Sequence, residues 1–181
     1  MADKKKLPIG EEFFGNIRTK GFYYVDKTGF IADLLKNRGS VNLFTRPRRF
    51  GKSLNLDMLR SFFEVGAEAA WFDGLRIAEE TELCACHMGK YPVIAISLKD
   101  VSGASYGDAL KMMSRVIRAE ARRHQYLLES DRLTDIDKES MRELYAKDQD
   151  EDALQESIRL LSEMLNKHYG RGVIILIDEY D

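Results

Sequence analysis

The segment Val41-Asn-Leu-Phe-Thr-Arg-Pro-Arg-Arg-Phe-Gly-Lys-Ser53 constrains this chain more than any other. A short, mostly apolar run over residues 41–45 leads into a basic loop and then Gly51-Lys52-Ser53. Beyond it Leu56, Leu59 and Phe63 recur at helical spacing, widened by Leu54, Met58 and Phe62. Strand, loop, Gly-Lys-Ser, helix is the order in which successive backbone N–H groups and a helix dipole converge on an anionic phosphate. The spacing therefore predicts a phosphate cradle built from Arg46, Pro47, Arg48, Arg49, Phe50, Gly51, Lys52, Ser53 and Leu54. Gly51 permits close backbone approach, Lys52 supplies the cation for the terminal phosphates, and Ser53 offers a hydroxyl to magnesium. Arg46 stands where the general pattern has its first glycine, so the loop takes a variant path or Arg46 bears strain. The three arginines also admit two other readings, a solvated turn or a patch for nucleic-acid backbone. Their place inside the cradle ranks nucleotide phosphate first.

Gly-Lys-Ser alone is a weak signal, and a second half strengthens it. A nucleotide hydrolase needs one carboxylate near the metal and another to orient water, both best placed where a buried parallel strand ends. The run Val173-Ile-Ile-Leu-Ile177 followed by Asp178-Glu179 meets that need. Asp178 is assigned to the metal shell and Glu179 to the attacking water, with Lys52 as the other catalytic group. The competing reading is that two acids merely solubilise a strand end.

Between these halves the pattern alternates. Phe22-Tyr-Tyr-Val25 reads as a short strand, followed by a helix through Phe30, Ile31, Leu34 and Leu35 that Asp26 or Thr28 could cap and Gly39 would stop. Pro92-Val-Ile-Ala-Ile-Ser-Leu98 reads as a strand covered on both faces. A long amphipathic helix follows, opened by a capping box at Ser105 and Asp108, with Tyr106, Leu110, Met113, Ile117 and Ala121 on one stripe and Arg115, Arg118, Arg122 and Arg123 opposite. A shorter helix is expected around Met141, Leu144 and Tyr145, and a full one through Leu154, Ile158, Leu161 and Leu165 to Gly170. Strands separated by helices argue for an α/β fold with a parallel sheet. The length of 181 residues fits one domain over 1–181.

Twenty-eight basic and 30 acidic residues leave a formal charge of −2, so no global field draws the chain to nucleic acid or an anionic membrane, and any such contact must be local. Cys84, Cys86 and His87 are spaced too tightly for a usual tetrahedral metal site, and the cysteines fit a reducing cytoplasm. The amino terminus lacks the apolar run of a secretory signal, and no stretch has the roughly 20 apolar residues of a membrane span. Neither assembly state nor biological process is legible here.

Taken with Pro8-Ile-Gly10, Phe22-Tyr-Tyr-Val-Asp-Lys-Thr28 and Tyr91-Pro-Val-Ile94, the phrases Thr45-Arg-Pro-Arg-Arg-Phe-Gly-Lys-Ser53 and Ile177-Asp-Glu-Tyr-Asp181 resemble the bacterial AAA-ATPase-like family. Members are often fused to a carboxyl-terminal nuclease-superfamily domain of the PD-(D/E)XK type. The resemblance implies a P-loop NTPase three-layer sandwich, and explains Arg46 as the family's own loop variant. It implies ATP and Mg2+ as cofactors, with Lys52, Ser53, Asp178 and Glu179 in the roles above, and suggests that Val25-Asp-Lys-Thr28 lies near the nucleotide, although a helix cap explains Asp26 and Thr28 equally well. Family members continue beyond the Asp-Glu strand with a strand that inserts between it and the phosphate-loop strand. The chain is thus expected to be an incomplete amino-terminal portion with a gap or an exposed sheet edge, and hydrolysis is expected of the full-length protein. A nucleotide-holding regulatory module and a small-molecule kinase are the alternatives.

Overall fold

Periodic apolar residues become helices throughout the computed structural model, which describes residues 5–37, 39–45, 47, 50–146 and 150–179. The chain divides into two compact units, Met1–Lys90 and Tyr91–Asp181, and each is described by itself.

The first unit contains α1 (Phe14–Thr19), α2 (Gly29–Asn37), α3 (Lys52–Phe63), a 3-10 turn (Ala69–Phe72), α4 (Arg76–Glu79) and α5 (Thr81–His87). Its centre is aromatic. Phe72 lies 5.0 Å from Phe14 and 5.4 Å from Phe62, ring centre to ring centre, and all three are fully buried. Burying one such ring contributes roughly 1.5–3 kcal/mol, which explains how a unit of short helices holds together. The Asp57 carboxylate accepts the Phe14 amide at 2.7 Å, tying α3 to the start of α1. Arg18 donates to the carbonyls of Trp71 and Asp73 at 2.6 and 2.7 Å, closing the far side.

Two expected strands of this unit do not form. Residues 22–25 form no strand; Tyr23 donates its amide to the Lys6 carbonyl, and the Tyr24 hydroxyl meets the Met58 sulfur at 3.2 Å. Residues 41–45 also lie outside any sheet, with Val41 88% and Leu43 64% exposed. Phe44 instead stacks edge-on against Phe30 at 4.6 Å. The physical reason is shared: β propensity expresses packing against neighbouring strands, and among the described residues neither segment has one.

The second unit runs β1 (Val93–Ser97), α6 (Tyr106–Arg123), a 3-10 turn (Gln125–Glu129), α7 (Asp135–Ala146), α8 (Glu151–Tyr169) and β2 (Ile174–Asp178). β1 and β2 pair in parallel, in register from Val93 opposite Ile174 to Ser97 opposite Asp178. The mixed α/β class with a parallel sheet is as expected, in the form of two strands. Ile94 and Ile96 bury into a core with Ile117, Ala121, Leu127, Met141, Leu161 and Leu165. Helix ends follow the sequence closely: Ser105 accepts the Asp108 amide at 3.2 Å, and α8 stops at Gly170. Asp150, unremarked in the sequence, caps α8 by accepting the Ala153 amide at 2.9 Å.

One assignment on α6 needs correction. Arg123 does not share the solvated face with Arg115, Arg118 and Arg122; it donates to the Val93 carbonyl, while buried Glu120 accepts the Ala95 amide at 2.8 Å and binds Arg123 at 2.7 Å. These side chains occupy the Val93 carbonyl and the Ala95 amide, two backbone groups of β1, and so oppose further strand pairing there. Burial alone would raise the Glu120 pKa, but hydrogen bonds from His124, Arg123 and the Ala95 amide outweigh it and hold the carboxyl down at about 2. The other edge, along β2, pairs with no strand among the described residues, and Ile175 and Ile177 are each 43% exposed.

Candidate functional site

Gly51 is the N-cap of α3 and adopts φ 75°, ψ 30°, a left-handed conformation that glycine reaches without strain. Any Cβ there would also stand 3.7 Å from the Lys27 ammonium. The turn directs the first amides of α3, those of Lys52, Ser53 and Leu54, out of the helix end, where intrahelical acceptors do not exist. α6, α7 and α8 carry acidic residues in their first turns, whereas α3 carries none, so the positive end of its dipole meets no neighbouring first-turn carboxylate. Lys27 adds a cation by reaching over to the Phe50 carbonyl at 3.4 Å. Pro47 and Phe50 are exposed beside this turn; Arg46, Arg48 and Arg49 lie outside the described residues.

Beside the turn is an open cavity of about 350 Å³ lined by Tyr23, Tyr24, Val25, Lys27, Phe50, Gly51, Leu54 and Asn55. Its lining mixes the aromatic and aliphatic side chains of Tyr23, Tyr24, Val25, Phe50 and Leu54 with the polar ends of Lys27 and Asn55. Burial pushes the Tyr24 phenol up to about 12, so it stays protonated.

The segment Val25-Asp-Lys-Thr28 divides its labour. Asp26 accepts the Thr28 amide at 2.8 Å and hydroxyl at 2.6 Å, and its second oxygen accepts the Arg76 amide at 2.8 Å. Buried Thr28 in turn accepts the Ile77 amide at 3.2 Å. Asp26 and Thr28 therefore serve the amide end of α4, while Val25 and Lys27 line the cavity. Burial works to raise the Asp26 pKa, but the bonds from Thr28 and Arg76 prevail and keep it below the usual carboxylate range. Lys27 falls in the segment Val25-Asp-Lys-Thr28 that the resemblance set near the nucleotide, and Phe50 in the expected cradle; Tyr23, Tyr24 and Asn55 were not singled out in the sequence.

The carboxylate half stands in the second unit. Asp178 is the last residue of β2, half-buried, and Glu179 follows it, exposed. Glu179 has φ 52°, the one positive φ at a non-glycine among the described residues. Such a conformation costs on the order of 1 kcal/mol and is concentrated where a side chain must be aimed. The cradle residues and the carboxylates thus belong to separate units.

Cys84 donates to the Ile77 carbonyl at 3.1 Å, and among the described residues no three His, Cys, Asp or Glu side chains cluster as metal ligands. No helix among the described residues is long and apolar enough to cross a membrane.

An uncharacterized protein from the vnfD 5′ region of Azotobacter chroococcum mcd 1 is 32% identical over 179 residues, 98% of this chain. The chain spans 29% of that relative's length. No solved structure matches. A family model described as Predicted AAA-ATPase matches residues 8–181, and the chain accordingly belongs to the AAA-ATPase-like family.

Proposed function

We propose that the chain belongs to a P-loop ATPase domain, a three-layer sandwich, that binds ATP with Mg2+ and drives a conformational switch. The observation that carries the reading is the left-handed Gly51 turn at the start of α3, with Lys52 and Lys27 beside a first turn that lacks acidic residues. That donor set suits a polyphosphate: backbone amides, a helix dipole and two ammonium groups, with no acidic residue in the first turn of the helix.

In this reading Lys52 binds the terminal phosphates and stabilises the charge that develops on them. The hydroxyl of Ser53 and the carboxylate of Asp178 are hard oxygen donors of the kind Mg2+ takes, and the metal would neutralise phosphate charge when bound. Glu179 orients and deprotonates the attacking water, for which its strained backbone and exposed carboxylate suit it. The cavity walled by Tyr23, Tyr24, Phe50 and Leu54 receives the base or sugar, while Pro47 and the three arginines of the loop complete the cradle. ATP as the preferred nucleotide, a cytoplasmic location and a nuclease-like domain further along the full-length protein are parts of the same proposal.

Turnover in the full-length protein tests it. Glu179→Gln is expected to bind nucleotide as the parent does and to lower phosphate release at least ~100-fold, the usual scale for losing a general base. Undiminished phosphate release would remove Glu179 from the role. Retained nucleotide with no turnover in the parent itself would favour a nucleotide-holding regulatory module.

A further inference from the structure

The cavity beside the Gly51 turn contains a side-chain amide that the fold does not use. Asn55 lines the cavity from α3, and its backbone amide donates to the Gly51 carbonyl at 2.9 Å, which sets it one helical turn along from the phosphate end. Every other asparagine of the chain donates its side-chain nitrogen to a neighbour: Asn16 to the Glu11 carboxylate at 3.1 Å, Asn37 to the Asp33 carbonyl and Asn42 to the Gly39 carbonyl at 2.9 Å each, and Asn166 to the Arg171 carbonyl at 2.8 Å. The Asn55 side chain has no hydrogen-bond partner among the described residues. Asparagine forms helices less well than alanine or leucine and caps nothing at this position, so α3 gains nothing from it locally.

The surface around this amide offers ring faces. Tyr23 and Phe50 are 51% and 58% exposed on the same cavity, and neither ring meets another ring among the described residues. Exposed rings beside a cavity are stacking faces for a planar heterocycle, and about 350 Å³ is within the range of small-ligand pockets.

We propose that the Asn55 amide reads the hydrogen-bonding edge of the nucleotide base and selects adenine over guanine. The inference rests on the nucleotide reading above and assigns the group that discriminates the base. A side-chain amide sets an acceptor oxygen beside a donor NH2. Adenine answers with its N6 amino donor next to a ring-nitrogen acceptor, so two bonds pair every group involved. Guanine presents two acceptors, N7 and O6, on one edge, and the amide has a donor for only one of them. On the other edge guanine adds a second donor, its N2 amino group, and the cavity lining holds no carboxylate to accept it. A base with an unanswered polar group loses affinity once it is desolvated in the cavity.

The test is calorimetric titration of the protein with magnesium and four ligands in turn: ATP, GTP, purine riboside triphosphate and inorganic tripolyphosphate. The parent is expected to bind ATP at least ~5-fold more tightly than GTP, and about 10-fold more tightly than purine riboside triphosphate, which lacks only the 6-amino group. Asn55→Leu keeps the side-chain size and favours the helix, so its circular dichroism should match the parent's; it is expected to lose about 10-fold in affinity for ATP while binding tripolyphosphate as the parent does. Tripolyphosphate binding reports the cradle alone and so separates the two readings. If the parent binds tripolyphosphate and ATP but does not distinguish ATP from purine riboside triphosphate, the assignment of Asn55 fails and the cradle stands. An unchanged ATP-to-GTP ratio in the folded variant, including an equal loss of both, would likewise overturn it. A parent that binds neither tripolyphosphate nor ATP would overturn the nucleotide reading and this inference together.

Discussion

Glu120, which the sequence did not single out, shows what one buried side chain supplies to a neighbouring strand. In an arginine-rich helix it resembles a solvated counter-charge, yet it is buried and serves as a surrogate neighbour for β1 by accepting the Ala95 amide. The available signal was a carboxylate only three residues beyond Ile117, toward the helix's apolar side. Its pKa is lowered from the ordinary 4.5 to about 2, so the folded chain binds that proton less readily than the unfolded one. The contribution is fully present above about pH 4.5 and is lost as pH falls through about 2. Comparing Glu120→Gln with the parent by urea unfolding should show a deficit of about 2–3 kcal/mol at pH 7 that narrows steadily toward pH 3. A deficit independent of pH would show that packing, not charge, is what Glu120 supplies. Asp26 and Thr28 were legible as helix-capping groups, although the helix they serve, α4, lies some 50 residues along the chain, a pairing that local spacing cannot reveal.

At the scale of elements, helices with clear apolar periodicity formed where the sequence placed them, because one amphipathic face and a cap largely determine a helix. Strands depend on a partner, and the two segments without one, residues 22–25 and 41–45, stayed out of any sheet. Contacts between distant elements are equally hidden from local pattern. A Cβ on Gly15 would lie 2.5 Å from the Trp71 ring, so α1 packs face-on against the 3-10 turn only because that position is bare. Gly15→Ala should lower stability by about 1–3 kcal/mol, as overpacking does, despite alanine's better helix propensity. A thermal melt at or above the parent's would mean Trp71 can swing aside freely.

At the scale of the whole molecule, the sheet is asymmetric. On the β1 side Glu120 and Arg123 occupy the Ala95 amide and the Val93 carbonyl, whereas β2 pairs with no strand on its far side among the described residues, which makes β2 the edge more open to further pairing. The expectation of an exposed edge followed from comparing strand order, something a single sequence offers only through a family resemblance. Membership of the AAA-ATPase-like family rests on a match over residues 8–181 and makes nucleotide binding the central claim. The most direct measurement is calorimetric titration of ATP with magnesium into the protein and into Lys52→Ala. The account predicts saturable, magnesium-dependent binding by the parent and a loss of at least ~10-fold in affinity in the variant, which removes a charge-assisted contact. Equal binding by both folded proteins would contradict the assignment of the cradle to Gly51, Lys52 and Ser53.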